Sequence, residues 1–186
     1  MDEDSKKISI IGTNNKYQIN KLINEYKLEK KVNKRVPSQK WLFSIDNFEY
    51  LNQIKMINDI SNNNYNYINE VSKIAIQEIN KKISGYKQQD KLKKKLDENT
   101  FLTFESIINK MIECELKCRY CKDEMNVLYD ISRETKQWSV DRINNDLGHN
   151  INNFHLACLD CNLKRRRRTD EKFLFTKQLN IIKQDK

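Results

Sequence analysis

Residues 139–162 of the 186-residue chain read SVDRINNDLGHNINNFHLACLDCN. This stretch contains both histidines of the protein and one of its three glycines, and it ends in a CxxC pair. A second pair with the same spacing precedes it, since residues 118–121 read CRYC. Two CxxC turns can each direct two thiolates at one metal ion, which predicts a tetrahedral zinc site. The expected ligands are Cys118, Cys121, Cys158 and Cys161.

A zinc ion bound by four sulfurs has no position left for a reactive water. The predicted zinc would therefore stabilise the fold and take no part in chemistry. The other interpretation is that these are buried or free cysteines with a coincidental spacing. Cys114 lies outside both pairs, and we expect it to pack against neighbouring residues.

The charge of the chain favours a polyanionic partner. The formal net charge is +9 and the isoelectric point is about 9.2, and clustered Lys and Arg gain free energy by releasing the counterions of nucleic acid. Charge alone would suit a membrane surface equally well. No apolar run approaches the roughly 20 residues of a membrane span, and the N-terminus, MDEDSKK, does not read as a signal peptide. We therefore expect a soluble, intracellular protein, either nuclear or cytoplasmic.

The first part of the chain is predicted to be helical. Apolar residues recur every three or four positions in the stretches 48–60, 68–83 and 104–112, and each predicts one helix. Asparagine-rich residues 61–64 would end the first helix, Gly85 offers a stop for the second, and Thr103 can cap the third. We expect residues 91–96, KLKKKL, to form a solvated basic continuation of the second helix.

The segment between the cysteine pairs predicts a small sheet. Residues 127–131 have strand-like composition, Trp138 begins a run that leads into Asp141, and residues 154–156 alternate as a second strand would. Gly148 supplies backbone freedom to the long turn between them. With a basic helix opening near Cys161, the order is strand, loop, strand and helix. A closing helix is expected from residue 170 to residue 182, with Phe173 and Phe175 available for packing.

In this order, the residues from Cys118 to Arg168 resemble the HNH endonucleases. The resemblance is to the zinc-containing subgroup, in which CxxC pairs flank a core of the form DRI…GH…N…CxxCN..K. It does not cover the first hundred residues. It implies a ββα-metal fold and metal-dependent cleavage of DNA phosphodiesters.

The resemblance also implies the site residues. Asp141 and Asn162 match the positions that hold a catalytic magnesium or manganese ion, and hard divalent cations prefer such oxygen ligands. Asn153 matches the residue that braces the loop. Arg142 departs from the pattern, because the family usually has its general base there and a guanidinium cannot accept a proton near neutral pH. Arg142 could instead contact a phosphate.

The general base must then come from elsewhere in the segment. His149 lies in the loop between the strands, and an unperturbed histidine pKa of about 6.5 suits proton transfer. His155 is the alternative, although its alternation with Phe154 and Leu156 favours a structural strand residue. A different arrangement or an inactive site is the remaining alternative.

The basic run after the second cysteine pair is expected to contact DNA phosphates. A nuclear localisation signal and a solvated helix face are the competing interpretations. The residues are Lys164, Arg165, Arg166, Arg167 and Arg168.

The expected fold is therefore α+β, and its parts are a loosely structured arm (1–40), a helical region (41–112) and a zinc-stapled ββα domain with a C-terminal helix (113–186). The expected function is a metal-dependent DNA endonuclease that cuts or nicks duplex DNA. The alternative is a catalytically inactive, zinc-stabilised nucleic-acid-binding module. Residues 41–112 are left available for dimerisation, a protein partner or target choice.

Overall fold

A computed structural model describes residues 33–62 and 69–178. Most of the expected N-terminal arm, residues 1–32, therefore lies outside the described residues. Within them the fold is α+β, with five α-helices and one two-stranded antiparallel sheet. The helices are α1 (Tyr50–Ser61), α2 (Glu70–Leu92), α3 (Phe104–Glu113), α4 (Leu159–Arg165) and α5 (Asp170–Gln178). Two short 3-10 helices, Pro37–Lys40 and Ile45–Phe48, precede α1.

The sheet joins β1 (Trp138–Arg142) to β2 (Phe154–Cys158), and α4 follows directly after β2. The predicted order of strand, loop, strand and helix is present. The register pairs Asp141 with His155 and Ser139 with Ala157. Because side chains alternate along a strand, these four residues share one face of the sheet.

The helices α1, α2 and α3 pack on one another and on the sheet around a shared apolar core. Ile57, Ile79 and Ile107 supply the centre of this core, one from each helix. The predicted cap of α3 is confirmed, since the Thr103 side chain accepts the Ser106 N–H at 3.1 Å. The Ser106 hydroxyl oxygen in turn accepts the Thr103 N–H at 2.9 Å, which completes a capping box. In the described ranges, none of the helices combines the length and apolarity that a membrane span requires.

The prediction that Gly85 ends the second helix is wrong. Helix α2 continues to Leu92, and the chain reverses only there, with Lys94 at a φ of 55°. Tertiary contacts stabilise the helical conformation beyond Gly85. The Tyr86 hydroxyl accepts the Val140 N–H at 3.0 Å, and Asp90 is fully buried. The lysines of residues 91–96 consequently lie at the helix end and in the following turn, not in a basic extension.

The strand predicted at residues 127–131 is also absent from the structure. Its backbone is held by a side chain from α1: Gln53 Oε1 accepts the N–H groups of Val127 at 2.7 Å and Leu128 at 2.9 Å. The amide nitrogen of Gln53 in turn donates to Phe48 O at 2.9 Å. A buried side chain thus takes the place that a neighbouring strand would occupy.

The two ends of the described chain also differ from expectation. Arg35 is fixed, because its N–H donates to Asp130 O at 2.7 Å and its guanidinium forms an ion pair with Glu78. The arm is therefore ordered by residue 35. At the other end Phe173 is buried but Phe175 is exposed, and the remainder of the expected closing helix, 179–182, lies outside the described residues.

Candidate functional site

The four cysteines of the two CxxC pairs come together as predicted. Their sulfur atoms all lie within 4.8 Å of one another, and the Sγ atoms of Cys121 and Cys158 are 3.9 Å apart. A tetrahedral zinc ion with bonds of about 2.3 Å requires sulfurs about 3.8 Å apart. The cluster could therefore hold a zinc ion after small inward movements. Cys114, at the end of α3, is not a member of it.

Each cysteine pair forms a tight turn around its first sulfur. The Tyr120 N–H points at Cys118 Sγ and the Cys161 N–H at Cys158 Sγ, each at 3.4 Å. A hydrogen bond from the Cys158 thiol lowers the pKa of Cys118 to about 5. Burial raises the pKa of Cys121 and of Cys161, and the hydrogen bond to Cys118 raises that of Cys158, so the thiolate form, which binds metal, is favoured at Cys118 alone.

Asp141 lies on the sheet face that is covered by α4, and it is 5 % exposed. Its Oδ2 atom accepts a hydrogen bond of 2.5 Å from the Tyr120 hydroxyl and lies 3.2 Å from Arg165 Nε. Burial raises the pKa of Asp141, while Tyr120 and Arg165 oppose that shift. The carboxylate is thus positioned from two sides.

Asn162 lies on the same side of the sheet as Asp141. Its amide nitrogen donates to Ser139 Oγ at 3.0 Å and to Val140 O at 3.1 Å. Within the described residues, both side-chain hydrogen bonds of Asn162 use Nδ2, and the contacts of the Asp141 carboxylate with Tyr120 and Arg165 use Oδ2. The donor set that remains, one carboxylate oxygen and one amide oxygen, is of the kind that a hard divalent cation prefers.

His149 is held by a residue that sequence analysis did not identify. Its ring Nδ1 lies 2.8 Å from Asp90 Oδ1, and its backbone N–H donates to Asp90 Oδ2 at 2.6 Å. The ring stacks on Tyr86 with 4.7 Å between centroids. Burial lowers the pKa of His149, and Asp90 opposes that shift. The carboxylate comes from α2, 59 positions away in the sequence, so no local pattern pointed to it.

Asn153 braces the loop that carries His149. Its Oδ1 accepts the Asn144 N–H at 2.8 Å, and its Nδ2 donates to Asn144 O at 3.0 Å and to Gly148 O at 2.9 Å. Gly148 is required for space and not for a left-handed turn. A Cβ atom there would lie 2.3 Å from the Lys95 carbonyl oxygen and 2.9 Å from Asp90 Oδ2.

The basic run does not form one uniform surface. Arg165 is 1 % exposed, and its Nη2 donates to Arg142 O at 2.5 Å and to Ile143 O at 3.0 Å. It therefore cannot contact DNA phosphates as expected, because its guanidinium is used to join α4 to β1. Lys164 is exposed and pairs with Asp160 at 2.7 Å. Residues 166–168 are exposed.

Polar side chains also surround His155, the alternative general base. His155 Nε2 lies 3.5 Å from Asp170 Oδ2, and Asp170 Oδ1 lies 2.8 Å from the Tyr120 hydroxyl oxygen, whose single proton also faces Asp141. The Tyr120 hydroxyl thus lies between Asp141 in the sheet and Asp170 at the start of α5. These contacts give His155 a structural role between β2 and α5.

The expected site residues thus form two neighbouring groups. One contains Asp141 in β1 and Asn162 in α4, and the other contains His149 and Asn153 in the β1–β2 loop. Arg142 follows Asp141 in β1, and its side chain reaches the loop that carries His149. Its Nη1 donates to Leu147 O at 3.1 Å, which fixes the side chain across the loop.

Comparisons of the chain with family models, with curated proteins and with solved structures give no match.

Proposed function

We propose that the protein is a metal-dependent endonuclease that hydrolyses phosphodiester bonds of duplex DNA. The observation that carries the proposal is the arrangement around Arg142. Asp141, which precedes Arg142 in β1, shares a sheet face with Asn162, and the Arg142 side chain donates to Leu147 O in the loop where a buried carboxylate holds His149. An oxygen-ligand pair, a cation and an oriented imidazole are the groups that this hydrolysis requires.

Asp141 and Asn162 are the residues that would hold a magnesium or manganese ion. When bound, such an ion would stabilise negative charge on the phosphate and the leaving oxygen. Arg165 and Tyr120 fix Asp141 through Oδ2 and leave Oδ1 for this purpose. The zinc ion proposed for the cysteine cluster would have a separate, structural role, because it would connect residues 118–121 to the start of α4.

His149 is proposed as the general base. Hydrogen bonding of Nδ1–H to Asp90 leaves the lone pair on Nε2, the atom that would accept a proton from the attacking water. The carboxylate also stabilises the imidazolium that this transfer creates. Because Arg142 cannot accept a proton, its part is to offset the charge of the phosphate.

A binding module without catalysis is the second candidate, and the burial of His149 favours it. The residue is only 5 % exposed and stacks on Tyr86, so its contacts also suit a purely structural histidine. In that case the same module would bind nucleic acid through its Lys and Arg side chains and would not cleave the phosphodiester backbone of the nucleic acid.

Incubation of the purified protein with supercoiled plasmid separates the two candidates. We expect nicking with magnesium or manganese, none with a chelator, and a loss of at least about a hundredfold in His149→Ala. His155→Gln is the matched control and should retain activity. Protein that shifts DNA but does not nick it with any divalent metal would establish the binding module instead.

A further inference from the structure

A basic groove runs beside Arg142 and joins three separate parts of the chain. Its volume is about 920 Å³, and it lies between the α2–α3 loop, the β1–β2 loop and the turn after α4. Six cations line it: Lys93, Lys95, Arg142, Arg166, Arg167 and Arg168. Two of the six, Lys93 and Lys95, come from the helical part of the chain.

Local contacts hold the three segments around the groove. Lys95 Nζ donates to Asn145 O at 2.6 Å, and Asn145 Nδ2 donates to Arg166 O at 3.3 Å. Arg166 has a φ of 54°, a left-handed conformation that reverses the chain where α4 ends. Residues 166–168 are therefore turned towards the β1–β2 loop instead of following the helix axis.

The cations of this groove have no acidic partners among the described residues. None of the six forms an ion pair there, and Asp146 is the single carboxylate in the lining. Some exposed lysines elsewhere are paired, as Lys73 is with Glu70 and Lys164 with Asp160. Uncompensated like charges at close range repel one another, and a bound polyanion relieves that repulsion.

The remaining lining residues indicate which form of nucleic acid fits. They include the amides Asn144 and Asn145 and the hydroxyl of Thr169, but no described residue of the lining is aromatic. Proteins that bind single strands stack bases on aromatic side chains, whereas phosphate contacts need only cations and neutral donors.

We infer that this groove binds the phosphate backbone of a nucleic-acid duplex, without reading its sequence, and that Lys93 and Lys95 extend the binding surface into the helical region. The inference deepens the proposed function, since it states which residues hold the substrate and in which form. Arg142 lines the groove and donates to Leu147 O, so a backbone lying in the groove would pass beside the loop that carries His149.

Binding of a labelled duplex, measured by fluorescence anisotropy at several salt concentrations in a chelator, tests the inference. The chelator prevents cleavage, so the result does not depend on catalysis. In Lys93→Gln/Arg167→Gln we expect weaker binding and a salt slope reduced by about two, because each lost phosphate contact lowers the slope by about one. Lys73→Gln/Lys81→Gln removes the same charge from the first turn and the middle of α2, outside the groove lining, and should change little.

Two results would overturn the inference. An unchanged salt slope in Lys93→Gln/Arg167→Gln, or an equal reduction in the Lys73→Gln/Lys81→Gln control, would show that the groove is not the contact surface. Tighter binding of the single strand than of the duplex would show that the substrate form is wrong. The nuclease proposal fails by a different measurement, the absence of plasmid nicking. A protein that does not nick plasmid can still show all the expected binding results, so the two failures are distinguishable.

Discussion

Nδ1 of His149 lies 2.8 Å from Oδ1 of Asp90, and the backbone N–H of the same histidine donates to the other carboxylate oxygen at 2.6 Å. One buried carboxylate therefore accepts from both the ring and the main chain of His149. It connects α2 to the loop between the strands, and it selects the tautomer with the proton on Nδ1.

Asp90→Asn is expected to remove cleavage while leaving DNA binding intact. An amide has only one acceptor oxygen, and the backbone N–H of His149 requires it. The NH₂ group of the new side chain then faces Nδ1, so the ring proton moves to Nε2 and the base is blocked. We expect plasmid nicking to fall by about a hundredfold or more.

Asp97→Asn, a substitution of an exposed carboxylate in the loop after α2, is the control for Asp90→Asn. It should nick plasmid like the unmodified protein. Full nicking activity in Asp90→Asn, with an unchanged thermal midpoint, would mean that Asp90 does not control the tautomer of a catalytic histidine.

Acid is expected to destabilise the protein through its two histidines. Burial lowers the pKa of both His149 and His155 below their ordinary 6.5. As the pH falls below 6.5, the unfolded chain binds protons at these residues before the folded protein does, so the free energy of unfolding decreases. Urea denaturation between about pH 7 and pH 5 measures this, and His155→Gln should reduce the dependence. A free energy of unfolding that rises over this range would contradict the prediction.

Removal of the cysteine-bound metal is expected to destabilise the protein. Native mass spectrometry should show one zinc ion per chain, absent in Cys161→Ser and retained in Cys114→Ser, because only the former removes a sulfur of the cluster. At a metal concentration a thousandfold above the dissociation constant, binding contributes about 4 kcal/mol. Loss of zinc from Cys114→Ser as well would show that the ligand set is wrong.

The two glycines of the described chain provide a matched pair of substitutions. A Cβ at Gly148 would lie 2.3 Å from the backbone oxygen of Lys95, whereas a Cβ at Gly85 meets nothing within 4 Å. Gly148→Ala should therefore destabilise the fold by about 1–3 kcal/mol. Gly85→Ala should stabilise it by about 0.5–1 kcal/mol, since the site is inside a helix. Thermal denaturation measures both, and equal effects would contradict the close approach at Gly148.

Gln53→Leu is expected to lower the free energy of unfolding by about 2–6 kcal/mol. The substitution leaves the N–H groups of Val127 and Leu128 without their acceptor, and each unpaired buried donor costs about 1–3 kcal/mol. Gln89→Leu, at an exposed position of α2, is the control and should lie within about 0.5 kcal/mol of the unmodified protein. Equal stability of the two variants would show that the segment after Met125 does not depend on Gln53.

The sequence by itself determined the features that depend on spacing along the chain. The turn within each CxxC pair, the alternation that predicted β2 and the Thr103 cap of α3 each depend on residues a few positions apart. The matching spacing of the two pairs also predicted that their four sulfurs meet, although 36 residues separate the pairs. Only the tertiary structure decided which polar side chains are buried and against which partners. Asp90 meets His149 across 59 positions, and Arg165 is buried while its neighbours are exposed. Desolvation and long-range hydrogen bonds set these outcomes, and both depend on helices packing around the hairpin, which no local pattern of residues encodes.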